Sequence, residues 1–315
     1  MLCMKAALVL LLATSSCAFG ADIRLGIIGT DTSHVPTFAR LFNDAGSKDR
    51  IAGARVVAAY KGGSKDLEVS SRRVDGFAEE IRTKYGVEIA PDIPALLSKV
   101  DGVLLTSVDG RQHLEQARLV IAARKPLFID KPLATTLEDA REIARLAKEA
   151  GVPWFSSSSL RYSSIASSMK FPDVQGVITW GPAAFQPHHQ LDLSWYGIHP
   201  IELLFTIMGP GCETVSRTSS DGADVLVGRW KDGRIGTVRG VRPTSEYGAV
   251  VFRAREVAES RSKSPGGSEG LTADIVKFFA SGKPPVSNEE TLEIFGFMDA
   301  AQRSKEQGGK PVTLR

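Results

Sequence analysis

Three short stretches of this chain carry side chains with the chemistry to act on a bound molecule. Asp130-Lys131-Pro132 closes an apolar run, so Lys131 stands at the end of a buried strand, just before a proline. A lysine in a dehydrated cleft has a lowered pKa and can give or take a proton. Trp195-Tyr196-Gly197-Ile198-His199 puts a histidine into a stretch of helical spacing, and imidazole exchanges protons near neutrality. Gly29-Thr30-Asp31-Thr32-Ser33-His34 follows the first apolar run. A strand-to-helix turn of this kind can hold phosphate oxygens on its backbone amides.

A dinucleotide fingerprint at this turn would have glycine at 29, 31 and 34. Only Gly29 is present. Asp31 is expected to bring a side chain and a negative charge to the place where backbone meets pyrophosphate. Two unit charges about 4 Å apart repel by roughly 4 kcal/mol at an effective dielectric near 20. His34 replaces the glycine that lets helix and strand pack closely. Two readings stay open. Gly29, Thr30, Asp31, Thr32, Ser33 and His34 hold a dinucleotide, or the turn is altered, with Thr32 or Ser33 capping the helix. The second apolar run, 55–60, lacks a terminal acid to bind the ribose hydroxyls of NAD. Lys61 and Ser64 are candidates there for a 2′-phosphate, which would favour NADP; the alternative is a solvated loop lysine. His188, His189, Asp192, His199 and Glu202 form a polar cluster, but no recognised ligand spacing is met, so no metal site is expected.

The elements that would position these residues alternate. Apolar runs at 23–28, 55–60, 87–90, 102–106, 126–129 and 153–156 read as strands. Helical spacing at 35–42, 74–85, 93–99, 112–123 and 137–150 lies between them. Strands alternating with helices imply a parallel sheet covered on both faces, with a crevice at the carboxyl ends of its strands. After about 164 the rhythm changes. Strand-like stretches at 177–185, 224–230, 234–241 and 249–253 are separated by Gly/Asp turns, with helices at 195–208, 273–279 and 289–305 and a Ser/Gly/Pro loop at 261–270. The expected fold class is α/β: a Rossmann-like parallel-sheet domain over 21–160, then an α+β domain with a mostly antiparallel sheet over 161–315, its C-terminal helices returning to the first domain.

Several segments follow one another in order along the chain. They are Ile23-Arg24-Leu25-Gly26-Ile27-Ile28-Gly29, then Val100-Asp101-Gly102-Val103-Leu104-Leu105-Thr106 followed by His113. Next come Phe128-Ile129-Asp130-Lys131-Pro132-Leu133-Ala134, Leu160-Arg161-Tyr162 and Gly197-Ile198-His199. The last is 287–314, with Ala300, Ala301, Ser304 and Pro311-Val312-Thr313-Leu314. Together they resemble the glucose–fructose oxidoreductase/inositol dehydrogenase (Gfo/Idh/MocA) family. The resemblance implies an NAD- or NADP-dependent dehydrogenase of a sugar, polyol or related carbohydrate. It implies that Lys131 approaches nicotinamide and substrate and that His199 shares the proton work. Asp130 stands for the family's usual glutamate, and Trp195 stands where an aspartate is common, leaving His199 without the carboxylate that would orient it. Thr106 and His113 would line the cofactor side. Arg161, Tyr162, Asp192 and Trp195 are the substrate-side candidates, with bracing of the domain junction the alternative for Arg161 and Tyr162, and Asp192 a replacement for the missing aspartate by a shifted path. Homo-oligomers are common in the family. Two alternatives keep the fold with a degenerate cofactor site: a non-redox carbohydrate-binding protein, and a lyase or hydrolase using the same cleft.

Bulk properties agree with a small-molecule protein. The chain has 315 residues, enough for about two domains. Its net charge of +3, from 39 basic and 36 acidic residues, gives no reason to expect nucleic acid. At the N-terminus, Lys5, the apolar run 6–13 and Ala18-Phe19-Gly20 follow the order of a secretory signal, 1–20, so export to the periplasm or beyond is expected. The run is too short for a membrane span. Cys17 raises a lipoprotein alternative, although 14–16 lack the aliphatic residue such a signal uses. Cleavage after Gly20 would leave Cys212 alone, so no internal disulfide is expected.

Overall fold

The structure is a computed structural model that describes residues 22–315. The segment read as an export signal, with Cys3 and Cys17, lies outside the described residues.

The first domain is a six-stranded sheet, β1 (Ile23–Ile28), β2 (Ala54–Tyr60), β3 (Glu88–Ile89), β4 (Gly102–Leu105), β5 (Leu127–Asp130) and β6 (Trp154–Ser157), in the order β3-β2-β1-β4-β5-β6. Every pairing in it is parallel. Leu25, Leu104 and Phe128 are fully buried. Each contributes about 1.5–3 kcal/mol of hydrophobic stabilisation and fixes the strand ends in place. Chain order reverses between β1 and β4, which opens a crevice at their carboxyl ends.

Helices cover both faces. Helices α1 (His34–Asn43), α2 (Glu68–Ser71) and α3 (Val74–Tyr85) follow β1 and β2. Helices α4 (Ile93–Leu97), α5 (His113–Ala122) and α6 (Leu137–Ala150) follow β3, β4 and β5. Helix α6 starts where the Thr136 hydroxyl accepts the Asp139 amide and stops at Gly151, which is left-handed.

Short helix α7 (Ser164–Ser168) leads to the second sheet, β7 (Val174–Pro182), β8 (Cys212–Ser219), β9 (Ala223–Trp230), β10 (Ile235–Val241), β11 (Tyr247–Arg253), β12 (Val257–Ser262) and β13 (Val312–Thr313). Its order is β12-β11-β7-β10-β9-β8-β13. Only β7 and β10 pair in parallel, so the mostly antiparallel expectation is borne out. Helix α8 (Ile198–Met208) packs on β7 and β10. Helix α9 (Ser268–Ser281) lies on the α1 face of the first sheet, where Phe278 meets Phe155 at 4.9 Å. Helix α10 (Asn288–Glu306) contacts α6, β6 and β8.

The structure corrects several boundaries. Strands β8 and β12 were not expected. Strand β12 reads VAESRS and alternates between exposed and half-buried residues, so an edge strand there carries almost no apolar signal. The stretch 261–270 is the end of β12, a turn and the start of α9. The helix expected over 195–208 begins at Ile198, after a 3-10 turn at Asp192–Ser194. Trp195 and Tyr196 therefore lie before the helix.

Candidate active site

The β1–α1 turn is built around Gly29, whose φ is +90°. A Cβ there would stand 2.4 Å from the Ser107 backbone, so only glycine lets the β1 and β4 ends approach this closely. Thr106 secures the junction, its amide donating to the Ile28 carbonyl (2.7 Å) and its hydroxyl to the Gly29 carbonyl (2.7 Å). The Thr30 hydroxyl donates to the Val74 carbonyl at 2.8 Å.

Asp31 does not project into the crevice. Its carboxylate is turned beneath the loop, fully buried, and accepts the Ser70 hydroxyl (2.6 Å) and the Val108 amide (2.9 Å). Burial raises its pKa, and those two bonds act in the opposite direction. The expected clash of Asp31 with a diphosphate is thereby corrected, because the charge is directed away from the turn's open side. The helix-capping expectation is corrected too. Ser33 stands at the N-cap without a side-chain bond to the helix, and the Thr32 hydroxyl makes only a 3.4 Å contact with the His34 amide.

The next groups lie at the end of β5. Asp130 Oδ2 and His34 Nδ1 are 2.5 Å apart, and Asp130 Oδ1 accepts the Lys131 amide at 2.9 Å. Burial by itself would raise the Asp130 carboxyl, but His34, Lys131 and these hydrogen bonds hold it below its ordinary value. The Lys131–Pro132 peptide is cis. Lys131 Nζ lies 5.7 Å from the centre of the Tyr196 ring, within cation–π range. Burial lowers the Lys131 pKa, and the Asp130 charge offsets part of the shift.

His199, in the first turn of α8, closes the group. Its ring lies 6.0 Å from both Tyr196 and Tyr247. Burial drives its pKa well below the usual histidine value, and Lys131 and His34 push the same way. Its Nδ1 lies 2.7 Å from Ser158 Oγ. Burial also pushes the Tyr247 phenol up to about 12. Lys131, Tyr196, His199 and Tyr247 thus form one cluster at the mouth of β5 and β6, beside the α1 turn.

The other sequence candidates are placed elsewhere. His113 bridges two backbones, its ring nitrogens 2.7 Å from the Ser107 carbonyl and 3.2 Å from the Leu133 carbonyl. Arg161 joins Glu202 (3.0 Å) to Glu290 (2.7 Å), bracing α8 against α10. Tyr162 packs beside Gly270 of α9. Asp192 is held by Arg217 (2.7 Å) and Lys305 (2.9 Å), so it does not replace the aspartate missing at 195. Trp195 stacks edge-on against His189. Sequence reasoning missed Ser158, Tyr196 and Tyr247, since a serine or tyrosine alone carries no spacing signal.

A dinucleotide would meet two different surfaces here. At the phosphate end, α1 has no side-chain cap and no acid in its first turn, which fits a diphosphate. At the ribose end, the loops after β2 and β4 are bonded together. The Ser64 hydroxyl donates to Asp109 (2.5 Å), and the Gln112 amide donates to Ser64 (2.6 Å) and to the Gly63 carbonyl (3.1 Å). Arg111 ties Asp109 to Asp66. Ser64 is thus committed to protein partners, while Lys61 makes only a surface pair with exposed Asp75 at 2.8 Å. Among the described residues, no group of three or more His, Cys, Asp or Glu could hold a metal ion.

Residues 23–158 match a family profile described as an oxidoreductase family, NAD-binding Rossmann fold. The chain is 34% identical over 131 residues to an inositol 2-dehydrogenase of Paracoccus denitrificans (strain Pd 1222), a match covering 41% of this chain and 34% of that protein. It is 38% identical over 79 residues to a 1,5-anhydro-D-fructose reductase of Ensifer adhaerens, covering 25% of this chain and 23% of that one. The chain thus spans about a third or less of these curated relatives. Among solved structures, a myo-inositol 2-dehydrogenase from Lactobacillus plantarum superposes with a TM-score of 0.75 at 17% identity, covering 93% of this chain and 100% of that one. A myo-inositol dehydrogenase from Lactobacillus casei in complex with NAD(H) and myo-inositol gives 0.72 at 17% identity, covering 93% and 97%. At such identities the likeness shows the fold.

Proposed function

Since the chain belongs to the Gfo/Idh/MocA oxidoreductase family, we propose that it oxidises or reduces one carbon of a polyol or sugar with a nicotinamide dinucleotide as partner. The observation that carries this reading is the Lys131–Tyr196–His199 cluster beside the uncapped start of α1. Relatives named as inositol 2-dehydrogenases support the substrate class. Gly29 to His34 would hold the diphosphate, and nicotinamide, when bound, supplies or accepts the hydride.

The protein's own residues handle the proton. In the oxidation direction, neutral Lys131 takes the hydroxyl proton as the carbinol C–H bond breaks; in reduction, its ammonium returns it. Burial favours the neutral amine, and Asp130 keeps the ammonium form accessible. Tyr196 offers an aromatic wall with Lys131 at its face. The absence of an acid at the end of β2 leaves the choice between NAD and NADP to the loops after β2 and β4. The segment 1–20 is proposed as an export signal; N-terminal sequencing of secreted protein, with Ala21 first, tests it.

The test is to mix the purified chain with NAD or NADP and a panel of inositols and sugars, and to follow NAD(P)H fluorescence. Turnover with at least one polyol supports the reading. Absence of nucleotide binding together with absence of turnover overturns it. The bonded loops favour a second reading, in which the cleft binds the same hydroxylated ligands without redox chemistry. Polyol binding by calorimetry without nucleotide affinity would select it.

A further inference from the structure

His199 lacks the carboxylate expected to orient it, since Trp195 stands in that place, but the structure supplies another partner. Ser158, just past β6, is fully buried with its Oγ 2.7 Å from His199 Nδ1. The same oxygen accepts the Leu160 amide at 3.1 Å. A serine hydroxyl has one proton to give. Among the described residues, His199 Nδ1 is the acceptor placed to take it. If Nδ1 carried the proton instead, the hydroxyl hydrogen would be buried without a partner, which is costly.

Ser158 is itself held. The Glu202 carboxylate accepts the Ser158 amide (2.8 Å), the Ser157 hydroxyl (2.9 Å) and Arg161 Nε (3.0 Å). Glu202 is one helical turn beyond His199 and is buried. Burial raises its pKa, while Arg161 and these donors favour the ionised form. The groups facing His199 are Lys131 after β5, Tyr196 before α8, Tyr247 on β11, Ser158 after β6 and, farther off, His34 on α1.

We infer that Ser158, anchored by Glu202, is a positioning residue that fixes His199 as the tautomer with its proton on Nε2. His199 then presents an N–H to a substrate oxygen, and the hydroxyl proton goes to Lys131. This deepens the function proposed above and rests on it for the substrate; the assignment at Ser158 does not need a substrate. It changes the expected role of His199 from proton acceptor to hydrogen-bond donor, a role suited to holding the developing alkoxide or the carbonyl oxygen.

The experiment is nitrogen–proton long-range NMR on the full chain labelled at its five histidines, with His199→Gln identifying the ring. Wild type is expected to show a neutral His199 with the proton on Nε2. A hydroxyl donating to Nδ1 favours the neutral ring, so Ser158→Ala should mix the tautomers and raise the His199 pKa by roughly half to one pH unit. Ser158→Thr, which keeps the hydroxyl, should restore both. A proton on Nδ1 in wild type, or unchanged tautomer and pKa in Ser158→Ala, overturns the inference. If Ser158→Ala does not fold, wild type and Ser158→Thr decide, since a Nδ1 proton in either is fatal. No substrate or nucleotide enters this measurement, so a failure to find turnover leaves its outcome unchanged.

Discussion

His34 Nδ1 lies 2.5 Å from Asp130 Oδ2, tying the first residue of α1 to the last residue of β5. Position 34 is where a dinucleotide turn usually has a close-packing glycine. Here the added imidazole reaches across the crevice and pairs with the acid next to Lys131. The loss of the glycine therefore introduces a side-chain bridge at the site.

Removing that bridge should destabilise the fold in a pH-dependent way. His34→Ala leaves Oδ2 of a buried carboxylate unpaired, with Oδ1 still accepting the Lys131 amide, at a cost of about 1–3 kcal/mol near neutral pH. The folded Asp130 pKa is depressed, because His34 and Lys131 outweigh burial. Its contribution is therefore present above the unfolded carboxylate pKa of roughly 4 and lost as pH falls through the folded value. Urea unfolding at neutral pH and again near pH 3 should show the gap between wild type and variant shrinking. An equal gap at both would rule out the pair as its source.

Asp31 has the opposite sign. Burial raises its folded pKa, so the fold favours the neutral acid. Wild-type stability should decline as pH rises from the ordinary carboxylate value through the raised one, and Asp31→Asn should decline less over that window, the remainder coming from other raised carboxyls such as Glu202. The same variant tests the turn's electrostatics. A carboxylate about 4 Å from a phosphate would cost roughly 4 kcal/mol, close to a thousandfold in affinity. With the side chain turned under the loop, Asp31→Asn should change NAD(P) affinity by less than about tenfold, as read by fluorescence titration.

Asp31 also shows where sequence reading stops. Apolar runs such as 23–28 and 102–106 marked the strands, because buried parallel strands are nearly all apolar, and their alternation with helices marked the crevice. Lys131 was legible because its strand and proline were. The direction of a side chain at a turn is not written in its spacing: Asp31 finds Ser70 and Val108, 39 and 77 residues away. Asp192 was a plausible substitute for the missing acid until the structure paired it with Arg217, which comes from a strand with a polar sequence. Ser158 becomes significant only when β6 and α8 are brought together.

The bonded loops at the ribose end give a third prediction. If Ser64, Asp109, Arg111 and Gln112 must separate for a dinucleotide to enter, weakening them should help binding. Arg111→Ala removes the bridge between Asp66 and Asp109. One or two ordinary hydrogen bonds correspond to about 3- to 30-fold in affinity, so NAD(P) should bind that much more tightly to the variant by calorimetry. Unchanged or weaker binding would mean that the loops are not a barrier, or that Arg111 itself contacts the nucleotide.

Lys131 gives the most direct test of the chemistry. Lys131→Met keeps the stem of the side chain and removes its proton chemistry, and turnover should fall by about 10²- to 10⁴-fold with substrate affinity changed far less. The pH dependence follows from the direction of its shift. Oxidation needs the neutral amine, and burial lowers the pKa from that of an ordinary lysine. The oxidation rate should therefore rise with pH and level off below the usual lysine range near 10.4, while reduction, which needs the ammonium, should fall over the same interval. Lys131→Arg, which stays charged throughout, should be slow and show neither limb. A rate profile of the same shape in wild type and Lys131→Arg would assign the titrating group to another residue.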